Sequence, residues 1–168
     1  MQLGTTQEKL KALGVETMAV VNTQLARARL YFKYRPARVL LTADPEAATH
    51  RAFGLPVTVV VENESEASWS QRRATMAQIQ AARVNRTGEV LGPQNALAAG
   101  ETLNQRDGFE MTEIDHQIAA THGMQLAGHF LIDRDGIIRW RQIEAAERIG
   151  DLAKFPSDEE ILRAARSL

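Results

Sequence analysis

The chain has 168 residues, 44% apolar and 24% charged, ordinary proportions for one soluble globular domain able to bury its own core. Twenty basic residues against 21 acidic ones leave a net charge of −1, which excludes global steering towards nucleic acid. Zero cysteines exclude disulfides, cysteine zinc sites, iron–sulfur clusters and a cysteine nucleophile.

The first residues read as a helix start. Thr5, Thr6, Gln7 and Glu8 have capping-box spacing, Leu10 and Leu13 follow at helical spacing, and Gly14 suits a left-handed cap. Val15–Val21 is a short β-rich run, expected to be a strand buried on both faces. Asn22 and Thr23 can cap a second helix with Leu25, Ala28 and Phe32 along one stripe, and Arg38–Thr42 is the next apolar run. Helix, strand, helix, strand predicts a crossover unit with Val15–Val21 and Arg38–Thr42 parallel.

Asp44 and Pro45 predict a helix with Asp44 as its N-cap, ended by Gly54 and Pro56. Val57–Val61 reads as a strand. Ser70–Val84 reads as a helix, Asn85–Gly108 as an extended glycine-rich loop, and Thr112–Thr121 as a helix closed by Gly123. Phe130–Ile132, the turn Asp133-Arg134-Asp135-Gly136 and Ile137–Ile143 form a β-hairpin signal. Ser157 and Glu160 make a second capping box, opening a helix through Ile161, Leu162 and Ala165. The expected core comprises Leu13, Val20, Leu40, Phe53, Phe130, Ile132, Ile138 and Leu162.

Candidate chemistry is sparse. Of the four histidines, His116 and His122 lie near Glu113 and Asp115, but six residues between them do not place both on one helix face, so no metal site is expected. His129 precedes an apolar strand and reads as a hydrogen-bonded, partly buried histidine; His50 is the fourth. Arg27, Arg29, Lys33, Arg35 and Arg38, interleaved with Tyr31, Phe32 and Tyr34, form a local basic stretch. A solvated helix face is the preferred reading of that stretch, with an anion-binding or protein-contact patch as the alternative. The longest apolar runs are too short to cross a bilayer and the N-terminus lacks a signal-peptide layout, so a cytoplasmic chain without membrane or nucleic-acid partners is expected.

Gly14–Val21, Asp44–Pro56, Gly128–Trp140 and Ser157–Leu162, in that order, resemble the peroxiredoxin-like branch of the thioredoxin-fold superfamily, the alkyl hydroperoxide reductase/thiol-specific antioxidant (AhpC/TSA) redoxins. The resemblance covers roughly half the chain. It implies an α/β, thioredoxin-like but incomplete sheet flanked by helices, forming a single domain over 1–168 with a loop- and helix-rich insertion at about 62–125. It implies an antioxidant thiol–disulfide or peroxide oxidoreductase with a thiol reductant as partner and no cofactor. The family's peroxidatic cysteine and its strand precede the first helix and have no counterpart here. Where peroxiredoxins carry an arginine, and thioredoxins a cis-proline, this chain has Ala127 followed by Gly128, the candidate groove position. No catalytic residue and no thiol catalysis are therefore expected. The alternatives are a non-catalytic thioredoxin-fold binding or scaffold module and a non-thiol enzyme using the insertion. The central strand lost from such a sheet would leave open edges, which predicts a homodimer with Val57–Val61 as candidate strand donor and 62–125 supplying contact.

Overall fold

The computed structural model describes residues 2–34, 36, 38–84 and 94–168. In chain order the helices are α1 (Gln2–Lys11), α2 (Leu25–Tyr34), α3 (Ala48–Ala52), α4 (Met76–Ala81), α5 (Ala96–Asp107), α6 (Glu113–His122) and α7 (Asp158–Ala165). The strands are β1 (Met18–Val21), β2 (Leu40–Ala43), β3 (Val57–Val61), β4 (Arg73–Thr75), β5 (Arg83–Val84), β6 (Gln94–Asn95), β7 (Met124–Gln125), β8 (Gly128–Ile132) and β9 (Ile138–Ile143). The fold is mixed α/β. No helix among the described residues is long and apolar enough to cross a membrane.

The chain divides into two compact units. The first comprises Met1–Phe53, His129–Gln142 and Pro156–Leu168. Here β1 and β2 pair in parallel, Met18 opposite Leu40 and Val21 opposite Ala43, with α2 as the crossover. The expected parallel pair is thus present. Strands β8 and β9 form the expected hairpin, closed where the Asp133 amide donates to the Ile137 carbonyl. Leu131 of β8 joins Leu10 of α1 and Ile161, Leu162 and Ala165 of α7 in a buried cluster, with Val15 and Trp140 packed against it. The two helices are also tied by polar groups, since Asp158 accepts from the buried Thr6 hydroxyl and from Lys9 Nζ, the latter at 2.8 Å.

The second unit comprises Gly54–Gly128 and Ile143–Phe155, and the expected insertion at 62–125 lies wholly within it. Its sheet has the order β4-β3-β7, with β3 parallel to β4 and antiparallel to β7. A separate ladder pairs β5 with β6. The core is Ala74, Ile79, Ala82, Leu126, Ala145 and Leu152, with Trp69, Met124 and Ile149 against it. Gly123 ends α6 at φ +65°, and a Cβ there would stand 3.1 Å from Val57 Cγ1, so the position favours glycine on both counts.

Several expectations are corrected. Thr5 and Glu8 lie inside α1, which starts at Gln2, so that spacing marks no cap. Asp44 does accept from the Ala48 and Thr49 amides, at 3.1 and 2.7 Å, but from a turn ahead of the helix, whose formal N-cap is Ala47. Ser70–Val84 is not one helix. It contains β4, the six-residue α4 capped by a Thr75–Gln78 box, and β5. The loop expected over Asn85–Gly108 gives way from residue 94 to β6 and α5, capped by Asn95 and closed by Gly108; residues 85–93 lie outside the described ones. The Thr112–Thr121 helix and the Ser157–Glu160 capping box appear as expected.

Five of the eight expected core residues are exposed: Leu13, Val20, Leu40, Ile132 and Ile138. Leu13 lies in the turn after α1, and for the four strand residues the physical reason is that a two-stranded ladder with one covered face leaves alternate side chains outside. Met18 and Leu40, paired in register on one face, are 60% and 66% exposed. The expectation that β1 is buried on both faces therefore fails. Of the remaining three, Leu162 is buried, while Phe53 and Phe130 are half-buried with ring centroids 4.8 Å apart.

Candidate functional site

Ala127 and Gly128 stand at the entry to β8, in the second unit apart from the strand's body. The Ala127 amide donates to Glu144 Oε2 at 2.9 Å, and its carbonyl accepts from the Glu144 amide at 2.9 Å. The other carboxylate oxygen, Oε1, accepts from the Ala153 amide. One carboxylate therefore ties two backbone segments, and both its oxygens are engaged in structural bonds. Ala127 itself offers no side chain able to hold an anion or move a proton. The position that the family would use as a groove is here a backbone clamp, and Glu144 is the residue sequence reasoning missed. Its only signal in the sequence is its place one residue beyond the second hairpin strand.

A second polar node is close in sequence to the first. Trp69 Nε1 donates to the Ala145 carbonyl at 2.8 Å, and Arg72 donates to the carbonyls of Trp69, Ala145 and Ala146. The Arg72 guanidinium also lies 5.2 Å from the Trp69 ring centroid, within cation–π range. Ala145 is buried with φ +49°, a conformation an alanine holds only under restraint from its neighbours. Three acceptors and an aromatic face satisfy Arg72, so it serves packing.

The histidines do not converge. His116 is exposed on α6, while His122 closes that helix. Asp115 accepts from the Thr112 amide at 2.7 Å and so acts at the helix start. Glu113 engages Gln117. His50 and His129 are half-buried in α3 and β8 of the first unit. No group of three or more histidine or carboxylate side chains that could hold a metal ion occurs among the described residues.

The basic stretch is broken up by the fold. Arg27 is buried, Arg38 pairs with Glu8 at 3.4 Å, and Arg35 lies outside the described residues. Phe32 is half-buried, its ring edge-on to Tyr31 at 5.1 Å. Of the basic residues within α2, Arg29 and Lys33 are exposed, as are Leu25, Leu30 and Tyr34 of the same helix.

The perturbed carboxylates all act on backbone or surface structure. Asp133 is held below the usual carboxylate range first by the Ile137 amide; desolvation, next in size, opposes it, and Arg139 Nε at 2.6 Å adds to the lowering. Asp44 is lowered by the Thr49 amide and Glu160 by the Ser157 amide. Each secures a turn or a cap, and none lies beside a nucleophile. No known family, curated protein or solved structure matches the chain.

Proposed function

We propose that the chain is a redoxin-type domain of thioredoxin-like fold, related to the AhpC/TSA peroxiredoxins, that performs no thiol chemistry itself. The observation carrying this reading is the first unit's element order, a parallel β1–α2–β2 crossover, then a β8–β9 hairpin covered by α1 and α7. That order supports the resemblance carried by Gly14–Val21, Asp44–Pro56, Gly128–Trp140 and Ser157–Leu162. The chemistry is limited by composition. Peroxide reduction by this route needs a thiolate, and the sulfurs here are five methionine thioethers. A thioether takes one oxygen to become the sulfoxide and then stops unless a reductase restores it.

With hydrogen peroxide and dithiothreitol, the purified chain should consume no more peroxide than its heat-inactivated control. Sustained thiol-dependent consumption would overturn the reading. A second reading, a binding or scaffold module, is favoured by the bare apolar face of β1–β2. The expected homodimer stands as a proposal resting on the 62–125 insertion, with a correction to its donor strand. Val57–Val61 is paired on both edges, by β4 and β7, so exchanging it would dismantle its own sheet. Sedimentation equilibrium at tens of micromolar should give about twice the 18.6 kDa chain mass, and a clean monomer removes the dimer.

A further inference from the structure

Alternation along β1 and β2 puts Met18, Val20, Leu40 and Thr42 on one face of the parallel pair, with Met18 opposite Leu40 and Val20 opposite Thr42. All four are exposed, and neither strand carries a charged side chain. The Met18 thioether accepts a hydrogen bond from the Thr42 hydroxyl, with Oγ1 3.4 Å from Sδ. That bond runs diagonally across the pair, from the residue two places beyond the register partner of Met18. Met76 and Met111 are the other exposed methionines among the described residues, at 44% and 49% against 60% for Met18. Among the described residues, neither of their sulfurs has a hydroxyl donor. Exposure thus separates the three by less than a factor of two, whereas the Thr42 hydroxyl sets Met18 apart in kind.

From this pairing we propose that Met18 is a modification site, oxidised to the sulfoxide by hydrogen peroxide with the Thr42 hydroxyl assisting the step and holding the product. The sulfur has two lone pairs. With one turned to Thr42, the other attacks an oxygen of a peroxide molecule arriving from solvent. The S–O bond forms as the O–O bond breaks, and the departing hydroxide takes the proton from the oxygen now on sulfur and leaves as water. The sulfur loses two electrons and the peroxide gains them. Negative charge grows on oxygen as the O–O bond breaks, so a hydroxyl already beside the sulfur stabilises the transition state more than the thioether. A thioether is a weak acceptor and a hydroxyl proton rotates to suit its partner, so the Thr42 hydroxyl passes to the sulfoxide oxygen once it has formed. The product places a polar S–O group beside Leu40, on a strand face that otherwise has one hydroxyl among apolar side chains. Reversal takes a methionine sulfoxide reductase. The inference stands apart from the redoxin reading, because the site takes up one oxygen and does not turn over.

The test treats the intact chain with excess hydrogen peroxide and times sulfoxide formation at each methionine by peptide mass mapping. Met18 should oxidise roughly three times as fast as Met76 and Met111, or faster, a lead larger than their exposures account for. Thr42→Val, which suits an exposed strand position, should bring Met18 down to the rate of the other two with the circular dichroism unchanged. Thr42→Ser keeps the hydroxyl and should keep the lead. Unfolding the parent chain in guanidinium chloride should erase the lead, since it separates Thr42 from Met18. Equal rates in the folded chain, a lead that survives unfolding, or a folded Thr42→Val variant that oxidises Met18 as fast as the parent would each overturn the proposal. So would a Thr42→Ser variant that behaves like Thr42→Val, since the hydroxyl would then not be the cause.

Discussion

Asp151 shows how a surface carboxylate in this chain gains its acid sensitivity. Hydrogen bonds from the Arg148 and Lys154 side chains hold it at about 2, against an ordinary 3.8, with desolvation opposing them weakly. Because the folded value is the lower one, the stabilisation is present above the unfolded value near 4 and is lost as pH falls through 2. The partners are exposed, so the contribution is modest. Asp151→Asn should flatten part of the fall in thermal midpoint between pH 4 and pH 2 while leaving the midpoint near pH 7 little changed. An unaltered slope would show that Asp44, Asp133 and Glu160, lowered in the same sense, carry the acid transition alone. Residue-scale features of this kind are legible only when both partners are close in sequence. Ser157 and Glu160 announce a cap that exists, whereas Thr5 and Glu8 have the same spacing inside a helix. The partner of Thr6 is Asp158, 152 positions away, and no local pattern points to it.

Among the elements, the hairpin is the part whose packing and sequence agree best. Alternation along β8 sends Leu131 into the α1–α7 cluster and Phe130 to the other face, where it is only half-buried. Leu131→Ala should therefore cost roughly 2–5 kcal/mol, as expected for emptying a buried leucine site, and Phe130→Ala should cost less despite removing more atoms. Urea denaturation of the two variants decides this, and a larger loss for Phe130 would contradict the assignment of faces. The positions of β1, β2, β8 and β9 were legible because β-branched runs and the Asp-x-x-Gly turn are local signals. Which of their faces is covered was not, since burial of Val20 or Leu40 depends on a neighbour contributed from elsewhere in the fold. Helix α5 was masked by its glycines: Gly100 lies within it and Gly108 closes it, so a helix read as a loop. Ala127 was legible as a position without side-chain chemistry, but its clamp by Glu144 arises from the meeting of β8 with the segment after β9.

For the molecule as a whole, the chain path matters more than any single contact. Each unit has its own buried cluster, yet each is assembled from separate stretches of sequence. In the first unit, three of the five buried cluster residues, Ile161, Leu162 and Ala165, belong to α7. The same helix supplies Asp158 to Thr6 and Lys9 of α1. Deleting residues 156–168 strips the covering of Leu10 and Leu131 and removes the Asp158 carboxylate that accepts from Thr6, losses comparable with the whole stability of a small unit. The second unit draws on none of those residues, its cluster running through Ala74, Ile79, Ala82, Leu126, Ala145 and Leu152. Hydrogen exchange read by mass spectrometry on the truncated chain should show protection lost over α1, β1, β2 and the hairpin and kept over β4-β3-β7 and α4. Equal loss in both units would mean that they fold as one cooperative body, and full retention would mean that the α1–α7 cluster does not hold the first unit together.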